Sequence, residues 1–126
     1  MGTAAAPALT AAQELAAARA VRVSVLTAAC AKAITGGFNS SALGTPHTYG
    51  STPTDQGNLR SAVLTGGNFQ EWCAHGAGPW EFVTHTAAQM IQVHADMATM
   101  IAAARTRLAD LKAGAYSRMI LDRITL

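Results

Sequence analysis

Charge is what this sequence has least of. Asp, Glu, Lys and Arg make up 13% of its 126 residues, against about a quarter in an average soluble domain. So thin a charge coat suits a protein packed against partners. The net charge is +2, and the basic residues are scattered from Arg19 to Arg123 with no run that could track phosphates, which argues against nucleic acid as a partner. Cysteine is also scarce. Cys30 and Cys73 cannot make a disulfide framework and read as two reduced thiols. Aromatic residues are 6%, and although hydrophobic residues reach 50%, much of that is alanine, which favours helix but buries little area. The length fits one domain, and its core should be thin, which favours oligomerisation or docking on a larger body. Long apolar runs are missing too. Arg19 and Arg22 interrupt the alanine-rich start, and no basic segment precedes it, so neither a signal peptide nor a membrane span is expected.

The elements that are there announce themselves by their caps. Residues 1–9 read as an arm. Thr10 with Gln13 is a capping box and opens a helix predicted from Ala11 to about Ile34, with Leu15, Ala18, Val21, Val25 and Ala28 on one face and Gly36-Gly37 as its stop. Two short strands are expected near Phe38–Leu43 and Thr48–Ser51. Thr52-Pro53-Thr54-Asp55 starts a second helix, which runs to about Thr65 with Leu59, Ala62 and Val63 inward. Phe69–Ala74 and Trp80–Val83 form a second hairpin around His75-Gly76-Ala77-Gly78-Pro79, and both tryptophans are expected to anchor the sheet against the helices. Thr86 with Gln89 opens the last helix. There Ala87, Met90, His94, Met97, Ile101, Ala104, Leu108 and Leu111 alternate three and four residues apart, and Gly114 is read as the end. Such a helix is about 40 Å long at ~1.5 Å per residue, more than so small a body needs. The fold class is therefore α+β: two or three helices, including a long amphipathic C-terminal one, on a small antiparallel sheet of two hairpins. The domain spans 10–113. Residues 114–126 form an apolar tail carrying Tyr116, Met119, Ile120, Leu121, Ile124 and Leu126, expected to dock on its own domain or on a neighbour. The candidate interface is Met90, His94, Met97, Ile101, Leu108, Leu111, Ile120, Leu121 and Ile124.

No residue set carries chemistry. Cys73-x-His75 with His85 is the tightest grouping of metal-ligand types, but no CxxC or HxxxH pair completes a tetrahedral set, so no metal or other cofactor is expected. His94 lies on the apolar stripe of the last helix and reads as an interfacial histidine that fixes register. Cys30 and Cys73 lie away from helix N-termini, where a thiolate would be stabilised. Glu71 and Glu81 on facing strands could mimic an acid–base pair; solvent-facing residues of a hairpin account for them. The glycine pairs 36–37 and 66–67 lack a phosphate-binding context. The chain is read as non-enzymatic.

Gly36-Gly37-Phe38 opening a first strand, the helical stretch from Thr54 to Val63, the tryptophan strand Phe69-Gln70-Glu71-Trp72, and Trp80-Glu81-Phe82-Val83-Thr84 leading to Ala87-Ala88-Gln89-Met90-Ile91 together resemble a domain of unknown function common in tail-fibre and tail-assembly proteins of tailed bacteriophages. The resemblance covers roughly residues 20–112. This sequence departs from the pattern at Leu43-Gly44-Thr45-Pro46, where such domains often turn through Asn-Gly or Asp-Gly. The resemblance implies a structural protein of the tail (fibre, fibre-anchoring or adaptor-like subunit). It would be made in the bacterial cytoplasm, act in the virion, and contact other tail proteins and copies of itself. The alternative is a tail-fibre assembly chaperone absent from the mature particle.

Overall fold

The structure, a computed structural model, describes the chain from residue 8 to residue 125 and the side-chain surroundings of residues 8–114. Its elements are α1 (Ala11–Thr35), β1 (Phe38–Ser40), β2 (His47–Tyr49), α2 (Pro53–Thr65), β3 (Phe69–His75), β4 (Trp80–His85) and α3 (Ala87–Thr125). The predicted α+β class holds: three helices pack on an antiparallel sheet of two hairpins, with strand order β1-β2-β3-β4.

Local chemistry sets each helix start. Thr10 Oγ1 accepts from Gln13 N while the Gln13 side chain accepts from Thr10 N, and Thr52 with Asp55 repeats the exchange. Thr86 with Gln89 does so again at the head of α3. Each box satisfies amide groups that a helix N-terminus leaves without an intrahelical acceptor. Ser51 closes α1 from a distance. Its buried hydroxyl donates to Ile34 O at 2.6 Å and accepts from Gly37 N at 2.8 Å, which ties the helix end to the chain leaving β2.

The register is Phe38 opposite Tyr49, Tyr49 opposite Cys73, and Cys73 opposite Glu81. Directly opposed residues share a face, so one face presents Phe38, Tyr49, Cys73 and His85, all buried. With Leu59 and Ala62 of α2 and Met90, Val93 and Met97 of α3, these residues make the core. The other half of α3 packs along α1, and Cys30 Sγ donates to Ala104 O at 3.5 Å. The molecule is thus a small sheet-and-helix head continued by α1 and the second half of α3 packed side by side.

Four expectations are corrected. The first strands are shorter than predicted because the chain turns at once: Gly44, at φ +96°, donates its amide to Ser41 O. The α1 stripe is displaced. Leu26 is the buried residue, with Leu15, Val23, Cys30 and Ile34 half-buried, whereas Val21 and Val25 are 66% and 53% exposed. Alanine on every side blurs the amphipathic pattern there, so the few large side chains decide which face is covered. Gly114 lies inside α3; a lone glycine costs a helix about 1 kcal/mol against alanine, too little to end one whose neighbours favour it. The tryptophans do not face the helices. Trp72 and Trp80 remain 47% and 41% exposed because the strand's alternation of period two turns Cys73 inward and its neighbour outward.

The predicted arm 1–9 lies outside the described residues except for its last two positions. The tail residues Ile120, Leu121 and Ile124 lie within the backbone of α3, beyond the described side chains.

Candidate interaction surface

The core face carries the titratable groups that the sequence singled out. His85 is fully buried. Its Nδ1–H donates to Val83 O at 2.8 Å, which leaves Nε2 to accept from the Tyr49 hydroxyl at 2.7 Å. Burial holds the His85 pKa below its ordinary value and so favours this neutral tautomer, while the Tyr49 phenol and the Cys73 thiol are both pushed up, first by burial. All three are therefore kept uncharged, as buried groups without a counter-charge should be. His75 stands apart: its ring stacks on His47 with centroids 4.8 Å apart. The hairpin thus disperses Cys73, His75 and His85. Among the described residues, no group of three or more His, Cys, Asp or Glu side chains could hold a metal ion.

Glu71 departs from its expected place in solvent. It lies opposite Val83 on the covered face and is half-buried. Burial, with the Asp55 carboxylate as a lesser cause, raises its pKa to about 7. Glu81 is exposed, so the two carboxylates occupy different environments rather than forming a pair.

An open groove of about 860 Å³ runs between the β1–β2 turn and the first turns of α3, lined by Asn39, Ser40, Ser41, Gln89, Gln92 and Asp96 among others. Three of its polar groups are engaged with one another. Ser40 Oγ donates to Asp96 Oδ2 at 2.5 Å, and Gln92 Nε2 donates to Asp96 Oδ1 at 2.8 Å.

Of the predicted interface residues, Met90 and Met97 lie within the chain's own core, at 1% and 5% exposure. His94, Ile101 and Leu108 are half-buried, and Leu111 is exposed. Among the described residues, large apolar groups are also uncovered singly at Leu9, Leu64 and Ile91, and together in two places. Val21 and Val25 lie one helical turn apart on the outer side of α1. On the open face of the sheet, Trp72, Trp80 and Phe82 stand together, Trp72 meeting Phe82 edge-on with ring centroids 4.9 Å apart. Clustered exposed aromatics of this kind mark interaction sites. Sequence reasoning missed this cluster, although the signal was present: Trp72, Trp80 and Phe82 share one parity once Trp72 is paired with Phe82. No helix among the described residues is long and apolar enough to cross a membrane.

Residues 8–123 match a family model described as a domain of unknown function, DUF4376. No curated protein and no solved structure matches the chain.

Proposed function

Since the chain belongs to the DUF4376 family of domains of unknown function, we propose that it is a structural subunit of a bacteriophage tail, of the fibre, fibre-anchoring or adaptor-like kind, acting through protein–protein contacts. The family description assigns no activity. The tail reading is supported by the order of motifs from Gly36-Gly37-Phe38 to the long last helix. The observation that carries the contact role is the set of large apolar groups left in solvent, among them Val21 and Val25 on α1 and Trp72, Trp80 and Phe82 on the sheet. A subunit that functioned alone would leave these groups as sticky patches; one held in an assembly covers them. The sparse charge, 13% of residues, fits the same life. In this reading the chain is made in the bacterial cytoplasm, works in the virion, and has other tail proteins and its own copies as partners. Immunogold electron microscopy of intact particles with an antibody to this chain tests it. Label along the tail is the expected result; particles that bind no antibody after mild tail dissociation would overturn it.

A further inference from the structure

The sheet ends on β4, Trp80–His85, and no strand among the described residues pairs with its outer side. An unpaired edge presents a row of free amide and carbonyl groups, and natural proteins blunt such edges with charged side chains, proline, a bulge or a covering element. β4 contains neither lysine nor proline, carries a single charge at Glu81, and pairs without a bulge, residue for residue, from Phe69↔His85 to Ala74↔Trp80. The opposite edge, β1, is 3 residues long against 6 for β4 and borders the polar groove. We propose that β4 is a self-association edge, and that a second copy of this chain adds its own β4 antiparallel across a two-fold axis at Phe82. The inference deepens the reading of a self-associating subunit and rests on it for the second copy.

Symmetry and side-chain parity select the register. A two-fold that sets adjacent strands antiparallel is normal to the sheet, so a residue on the axis faces its own copy, and its neighbours pair at equal steps to either side. An axis at Glu81 would oppose two like charges, which destabilises a cross-strand pair. An axis at Val83 would set Phe82 against Thr84 of the other copy. An axis at Phe82 sets the two phenyl rings side by side, Trp80 against Thr84, and Glu81 against Val83, with no like charges opposed. Phe82 is 66% exposed and already touches Trp72, so this register joins Trp72–Phe82 of one copy to Phe82–Trp72 of the other in one aromatic row. Opposed aromatic pairs are among the favourable cross-strand contacts. The pairing covers the most exposed ring of the patch, satisfies the edge, and closes on itself.

The test is the solution mass of the whole chain, by sedimentation equilibrium, for wild type, Phe82→Lys and a Val21→Glu/Val25→Glu variant. Phe82→Lys would place two ammonium groups on the axis, with backbones about 5 Å apart. The expected results are a wild-type assembly with an even number of copies, half that mass for Phe82→Lys with an unchanged far-UV circular dichroism spectrum, and at least a dimer retained by the helix variant. A monomeric wild type, or a Phe82→Lys assembly of undiminished mass, overturns the proposal, and so does dissociation by the helix variant alone. If Phe82→Lys fails to fold, hydrogen exchange on wild type decides. Amides of β4 that point away from β3 should be protected at high protein concentration and exchange freely on dilution; free exchange at both concentrations overturns the edge pairing. A subunit that is monomeric in solution yet present in the tail would fail this inference and leave the tail reading standing.

Discussion

Replacing Glu71 by glutamine removes a charge that the fold holds unwillingly. In the folded chain the carboxyl ionises near pH 7 instead of its ordinary 4.5, first because it is buried and then because Asp55 is near. Between these two values the folded state retains a proton that the unfolded state has released, so stability falls as pH rises through that window. At about 1.4 kcal/mol per pH unit the full shift would cost over 3 kcal/mol, but Glu71 is only half-buried and solvent screens it, so about 1–2 kcal/mol is the working figure. His85 acts in the opposite sense. Its folded pKa is depressed below 6.5, so its contribution is present above that pH and is lost on acidification. The wild-type profile alone therefore mixes two opposed slopes, and the difference between wild type and Glu71→Gln isolates the carboxyl. Thermal and urea unfolding at pH 5 and pH 8 measure it. The variant should match wild type near pH 5 and exceed it at pH 8 by that amount, a rise in Tm of roughly 4–8 °C for a domain of this size. A variant no more stable than wild type at pH 8, or a difference that is the same at both pH values, would refute the reasoning.

The other predictions concern the core and one close approach. Tyr49→Phe strips the hydroxyl from the buried His85 Nε2 and should cost about 1–3 kcal/mol in urea unfolding, the penalty of a buried acceptor without its donor. Met90→Ala, at a residue 1% exposed, should cost about 2–5 kcal/mol by the same measurement. Gly50→Ala would drive a methyl group into the Asp55 carboxylate that caps α2; a loss of about 1–3 kcal/mol is expected, and an unchanged Tm would show that the cap can move.

The parts of the fold legible in the sequence are those written in local chemistry. Thr10/Gln13 and Thr86/Gln89 place two helix starts because a capping box needs only residues three apart, and the threonine cap, proline and first-turn acid of Thr52-Pro53-Thr54-Asp55 place the third. The glycine-rich turn after His75 likewise places the second hairpin. What failed needed information from across the molecule. Trp72 and Cys73 are adjacent and both apolar, and only the helices packed on one face decide which points inward. Glu71 shares that inward parity, so a carboxylate that reads as surface is half-buried. In α1, alanine supports helix on every side, and the covered stripe through Leu26 is set by where α3 lies. Val93, fully buried, falls between the chosen heptad positions Met90 and Met97 because the core wraps a wider arc of α3 than a two-helix seam. The aromatic patch was hidden by the same assumption that large apolar groups face the core.

The central claim, that this chain is a permanent part of a phage tail, is tested most directly by quantitative mass spectrometry of purified particles beside the lysate they came from. The account predicts this chain in the particles, in several copies per tail and in fixed ratio to the other tail proteins. Abundance in the lysate with none in the particles would contradict it and identify an assembly factor instead.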